Sequence, residues 1–155
     1  WSMEITVMHQ FDSKWEMFAE KIHNSSPIVG EHLARLMHNH AFLDWERVIV
    51  ISDRDQVVGF CALLKNDVFK ATPLSPFVSS IFVNESYRGY GIGLTLELVR
   101  QAEGAAAQAG FDTTYIATEK NGLYEQMNYQ QVNHRSDKFG HDRRILMKSI
   151  SYFNN

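Results

Sequence analysis

The stretch that most constrains this chain begins at Pro76 and reads PFVSSIFVNESYRGYGIGLTLELV. Phe77 to Val83 is an apolar run rich in β-branched and aromatic residues, which predicts a strand. A polar turn follows, and then the glycine-spaced loop Arg88-Gly89-Tyr90-Gly91-Ile92-Gly93. Beyond it Leu94, Leu98, Ala102, Ala105 and Ala109 fall close to one face of a 3.6-residue period and predict a helix. A strand feeding a glycine loop that opens a helix offers free backbone N–H groups and a positive helix end to a phosphate. No other stretch of the chain makes so specific a chemical offer.

Glycine spacing alone leaves three readings: a Walker-type phosphate loop, a dinucleotide-binding turn, or a tight turn. A Walker loop ends Gly-Lys-Ser/Thr, whereas Gly93 is followed by Leu94-Thr95. A dinucleotide turn opens an early βαβ unit with an acidic residue ~20 positions on. Here the next strand reaches Glu119 about 28 residues beyond Gly91, and the loop lies mid-chain. Both nucleotide readings recede.

Around this centre the chain predicts a strand over Met3 to Met8 and a helix capped by Asp12 or Ser13 running to about His23. A second helix spans roughly Val29 to His40, with Leu33, Leu36 and Met37 at helical spacing. Arg47 to Ser52 and Gln56 to Leu64 are β-rich runs about Asp53-Arg54-Asp55, a hairpin signal. Gly59 within the second run suggests a bulge or a close approach. Lys65 to Ser75 reads as a loop, Gly110 ends the long helix, and Thr113 to Thr118 is a further strand. Asn121 to Met127 is plausible as a docked helix, and Tyr129 to Asn133 and Arg144 to Ile150 complete the strands. The order implies one α/β domain over residues 1–155, a mixed sheet flanked by helices. Trp1 and Ser2 read as a remnant ahead of a natural start at Met3.

The formal net charge of −3 argues against a nucleic-acid footprint. No apolar run approaches the ~18 residues of a membrane span. Cys61, the single cysteine, excludes an intrachain disulfide framework and reads as a buried, inert thiol. These features suit a cytoplasmic protein.

Arg88-x-x-Gly91-x-Gly93, preceded by Ile81-Phe82-Val83 and followed by a helix, resembles the Q/R-x-x-G-x-G/A loop of the GNAT N-acetyltransferases. Asn121-Gly122-Leu123-Tyr124-Glu125-Gln126-Met127-Asn128-Tyr129 is similar to the family's asparagine and leucine-tyrosine-glutamate segment, with Asn128-Tyr129 where Gly-Phe is usual. The resemblance covers about Met3 to Ile150 and implies a GNAT-like fold whose central strands splay around acetyl-CoA. It assigns the pyrophosphate to Arg88, Gly89, Tyr90, Gly91, Ile92 and Gly93, with Thr95 as a hydroxyl contact. The pantetheine arm would pair with the backbone of Ile81, Phe82 and Val83, one N–H polarising the thioester carbonyl. Tyr124 would be the general acid. Asn121 would contact the CoA arm, cap a helix, or do both.

Many members of that family place a glutamate on the strand before the loop, where this chain has Ser79 and Ser80. The base therefore stays open among a water held by Ser79 or Ser80, Glu85 and Glu119. His32, His38 and His40 cluster in sequence but match no compact metal-ligand spacing, so surface or capping roles are expected and no metal is implied. His134 and His141 flank the last hairpin, where the resemblance places the acceptor, and Trp45 and Phe77 could line that pocket. The implied activity is direct acetyl transfer to a primary amine, on a small molecule or a peptide or protein. The alternative is a non-catalytic acyl-CoA-binding regulatory or interaction module. The acceptor, the acyl group and the oligomeric state, including a homodimer, stay open.

Overall fold

Along the chain run β1 (Met3–Met8), α1 (Trp15–His23), α2 (Val29–His38), β2 (Arg47–Asp53), β3 (Gln56–Leu64) and β4 (Phe77–Val83). Then come α3 (Gly93–Gln108), β5 (Thr113–Thr118), β6 (Gln130–Ser136) and β7 (Asp142–Ser149). The structure is a computed structural model that describes residues 3–67, 72–90 and 92–150, with backbone alone for Arg88 and Tyr90. Gly91 and residues 68–71 of the expected loop therefore lie outside the described residues. The strands form one seven-stranded mixed sheet in the order β1-β2-β3-β4-β5-β7-β6. This is the expected α/β architecture. Among the described residues no helix is long and apolar enough to cross a membrane.

The period-2 pattern of β2 produces the layering. Val48 and Val50 join the core with Trp15, Phe18, Ile22, Leu33 and Met37, so α1 and α2 cover that face. Ile49 and Ile51 point the other way, into a core with Leu94, Leu98, Val99 and Ala102 of α3. Each such fully buried side chain contributes on the order of 1.5–3 kcal/mol. The buried stripe of α3 runs through Val99 and Ala106; Ala109 of the expected stripe is exposed. Trp15 pins α1 to α2 by donating Nε1–H to the Met37 carbonyl at 3.0 Å.

The punctuation is largely where the sequence puts it. Arg54 takes φ +57° in the two-residue β2–β3 turn, and Gly110 takes φ +97° just past α3. The Gly110 and Phe111 amides donate to Ala107 and Ala106, closing the helix end. At Gly59 both expectations hold: the β2–β3 register shifts between Ile51 and Ser52, and an added Cβ would stand 2.8 Å from the Phe82 carbonyl oxygen. Cys61 is fully buried, and burial pushes its thiol pKa up.

One expected element is absent. Asn121 to Met127 forms turns and a short 3₁₀ segment, Glu125–Met127, instead of a docked α-helix. Gly122 at φ +85° and Asn128 at φ +71° interrupt any helical run at both ends. Asn128 stands where Gly-Phe is usual in the resemblance, and asparagine tolerates that left-handed backbone better than most residues.

Candidate active site

The sheet is interrupted at its centre. β4 and β5 are parallel and share a single register pair, Phe77 with Tyr115, beside a Tyr115 amide to Pro76 carbonyl bond of 3.0 Å. Beyond that pair a cavity of about 490 Å³ lies between them. Val78, Ser79, Ser80 and Ile81 line it from β4, and Ala117 to Lys120 with Tyr124 line it from β5 and the following turn. Ile28, Val29 and His32 approach from α2, Asp67 from the end of β3, and Phe139, His141 and Arg143 from the β6–β7 hairpin.

A bulge in β4 sets which groups face the gap. The β3–β4 register passes from Ala62–Ser79 to Phe60–Phe82, so Cys61 opposes both Ser80 and Ile81. Ser80 takes φ +54°, a left-handed backbone that serine adopts only under constraint. Past the bulge the Asn84 amide donates to Val58 on β3 at 2.7 Å. Antiparallel alternation then turns the N–H groups of Ile81 and Val83 away from β3, toward the gap. Phe82 stacks on Phe60 with ring centroids 5.2 Å apart, so its side chain belongs to the core.

The glycine loop delivers an exposed helix end. Glu85–Tyr90 forms a 3₁₀ turn, and α3 begins at Gly93 with Ile92 as its N-cap. No side chain caps this end, and its first turn carries no acidic residue. The leading N–H groups and the positive end of the dipole are therefore left for an anion. An added Cβ at Gly89 or Gly93 would meet nothing within 4 Å, so packing does not demand glycine there. Thr95 sits half-buried in the first turn.

Tyr124 is 5% exposed and lines the cavity. Among the described residues its hydroxyl makes no hydrogen bond, while burial, with a smaller contribution from Cys61, pushes its pKa up to about 12. Arg144 on β7 fastens the turn that carries it, donating Nη1–H to Glu125 Oε2 at 2.8 Å and Nη2–H to the Lys120 carbonyl at 2.5 Å. The Gly122 amide donates to the other Glu125 oxygen at 3.1 Å. Asn121 is exposed and opens no helix, so the cap role falls away.

The candidates for a base separate by position. Ser79, Ser80 and Glu119 line the cavity, whereas Glu85 is exposed on the 3₁₀ turn and does not. Ser79 is 5% exposed and donates its hydroxyl proton to Asp67 Oδ1 at 2.7 Å. That carboxylate was invisible in the sequence, because Asp67 sits in a loop twelve positions from Ser79. His32, expected at the surface, also faces the cavity, and burial together with Lys138 and Arg35 lowers its pKa. His38 and His40 both approach Glu16, at 3.0 and 2.9 Å. Among the described residues no cluster of three or more metal-ligating side chains forms. Of the acceptor candidates only His141 lines the cavity. His134 is exposed on β6, Trp45 packs edge-on against Phe111, and Phe77 is buried against Tyr115.

The fold is that of a known family. Residues 44–131 match the family model for the acetyltransferase (GNAT) domain, and the chain belongs to that family. Its fold is shared with an aminoglycoside 6'-N-acetyltransferase from Enterococcus faecium, at TM-score 0.66 and 16% identity over 95% of this chain and 97% of that one. The yncA protein of Salmonella typhimurium, solved with its cofactor acetyl-CoA, superposes at TM-score 0.67 with 13% identity, covering 97% of this chain and 95% of that one. A spermidine N-acetyltransferase chimera from Vibrio cholerae and hSSAT gives TM-score 0.64 and 17% identity over the whole of both chains. No curated protein matches by sequence.

Proposed function

We propose that this protein transfers an acetyl group from acetyl-CoA to a primary amine by direct attack. The observation that carries the reading is the gap between β4 and β5, lined by a buried phenol on one side and a serine–carboxylate pair on the other. The residues fit an acyl-CoA. An uncapped α3 N-terminus without acidic residues suits a pyrophosphate, and the interrupted β4 edge suits an extended amide-bearing arm. The neighbour solved with acetyl-CoA and the aminoglycoside and spermidine acetyltransferases support the cofactor and the amine acceptor.

When bound, the thioester supplies an activated acyl carbon. The loop from Arg88 to Gly93, with Thr95, holds the diphosphate through backbone N–H groups. The main chain of Ile81, Phe82 and Val83 aligns the arm, and an N–H facing the gap stabilises the oxyanion that develops on the carbonyl. Asn121 contacts the arm from the other side. Tyr124 donates its phenolic proton toward the departing sulfur. An alkyl amine of pKa ~10.4 is neutral in only about one molecule in 10³ at pH 7, so a group lining the cavity accepts its proton, with Ser79, Ser80 and Glu119 as the candidates. The buried, singly present Cys61 supports a cytoplasmic setting.

The test is thiol release from acetyl-CoA across an amine panel, beside calorimetric titration with CoA, ATP and NAD. Binding of CoA with amine-dependent release is expected. Binding of CoA with no release on any amine would favour the non-catalytic module, and stabilisation by ATP or NAD alone would defeat both readings.

A further inference from the structure

The cavity has a charge balance and an apolar rim that acetyl transfer alone does not explain. Among the described residues lining it, the carboxylates are Asp67 and Glu119, and the cations are Lys120 and Arg143. Asp67 accepts the Ser79 hydroxyl at 2.7 Å, and Glu119 stands 3.8 Å from His141. Arg143 donates Nε–H to Asp137 at 2.6 Å. A molecule carrying several ammonium groups needs an excess of anionic partners, because a desolvated cation without one is costly. With Arg143 held by Asp137, the lining sets two carboxylates against Lys120, and Lys138 beside His32 balances the second, which leaves no excess. Lys138 on the same hairpin adds positive charge close enough to depress the titration of His32.

The rim is different in character. Ile28 at the start of α2 is 79% exposed and Phe139 at the hairpin tip is 59% exposed, yet both line this one cavity. Single exposed apolar residues need no explanation, but two from separate elements at one opening form a contact surface. The Phe139 end is held in place, because Asp137 Oδ1 accepts its amide N–H at 2.8 Å and that of His141 at 2.9 Å. A hairpin tip whose backbone is already fixed loses less freedom on contact with a ligand. Inward from the rim, Val29, Val78 and Ile81 continue the apolar wall.

Resting on the acetyltransferase reading, we propose that the acceptor is a primary monoamine with an apolar aryl or alkyl body. Its ammonium meets the Ser79–Asp67 pair and its body lies between Ile28 and Phe139. The N–H bond breaks as Ser79 Oγ takes that proton and passes its own to Asp67, leaving a neutral nitrogen with its lone pair for attack.

The experiment compares kcat/KM for 2-phenylethylamine, n-hexylamine, ethylamine, spermidine and kanamycin by thiol release. The two apolar amines should exceed spermidine and kanamycin at least tenfold. Phe139→Ala should lower kcat/KM for 2-phenylethylamine about tenfold through KM, close to 1.4 kcal/mol, and leave ethylamine unchanged. Asp67→Asn should lower kcat for every amine with CoA affinity retained. A preference for spermidine or kanamycin, or indifference of 2-phenylethylamine to Phe139→Ala, would overturn the proposal. Should no amine release thiol, titration of 2-phenylethylamine into the CoA-bound protein separates the two ideas. Binding that Phe139→Ala abolishes keeps the amine site and removes the acetyltransferase reading, whereas absence of binding removes the site.

Discussion

Replacing Tyr124 with Phe removes one hydroxyl and keeps a ring that is 5% exposed in the core. That hydroxyl makes no hydrogen bond among the described residues, so stability should change by less than about 1 kcal/mol. Turnover is another matter, and the raised pKa sets its size. A phenol near 12 facing a thiolate whose conjugate acid lies near ~8.5 is a poor outright donor, by roughly 3.5 units or ~5 kcal/mol. Its main contribution is then a charge-assisted hydrogen bond to the sulfur as negative charge builds. Such a bond is worth about 1.5–3 kcal/mol, or roughly 10- to 150-fold in rate. Tyr124→Phe should therefore lower kcat toward the 10²-fold end, with the CoA dissociation constant within about twofold of wild type. A group of pKa about 12 also stays protonated throughout the usual assay range, so Tyr124 should impose no alkaline limb on kcat below about pH 11. Single-turnover kinetics from pH 6 to 10 on both proteins checks this. A rate loss under threefold, or an alkaline limb near pH 8–9 that vanishes in the variant, would refute the assignment.

Three further outcomes are expected. Gly93→Asp adds a carboxylate to an open helix N-terminus, so the melting temperature should hold or rise while CoA affinity drops at least about tenfold; unchanged affinity on calorimetry would remove the anion site. Gly30→Ala would place a Cβ 2.2 Å from the Ile22 carbonyl oxygen between α1 and α2, and should cost about 1–3 kcal/mol, read as a lower urea midpoint at constant slope. At Asp137 burial raises the carboxyl pKa, but hydrogen bonds from Arg143, His141 and Phe139 outweigh it and hold the value below the ordinary one. A depressed folded pKa gives stability that is full above the unfolded value near ~3.9 and is lost as pH falls through the folded one. Asp137→Asn should therefore flatten the acid side of the stability curve below about pH 4; an unaltered acid slope in denaturant melts would count against that role.

Much of this architecture could be read in advance because local rules and tertiary packing agree. The alternation of Val48 to Ile51, the αL turn at Arg54 and the glycine closure of α3 each follow from the nearest few residues. The segment around Tyr124 misled because Leu123 and Met127 mimic helical spacing, while the backbone is decided by Gly122 and Asn128 and by Arg144 arriving from β7. Asp67, His32 and Phe139 carry no local signal at all. They come together because a loop, a helix and a hairpin tip meet over the same gap, and single-sequence patterning contains nothing about that meeting. Conversely, Glu85 has the right residue type near the right motif but lies on the 3₁₀ turn beyond β4 and does not line the cavity.

The single Phe77–Tyr115 pair has a mechanical meaning as well. It divides the sheet into a block of β1 to β4 and a block of β5 to β7, each internally laced by antiparallel ladders. Rotation of one block against the other about that pair would change the width of the cleft while breaking very few backbone hydrogen bonds. An extended molecule lying in the cleft would supply the missing rungs and lock the two blocks together. Ligand binding in this protein would then act as a weld across a hinge, and amide hydrogen exchange at Ile81 would record it as slowing at that seam.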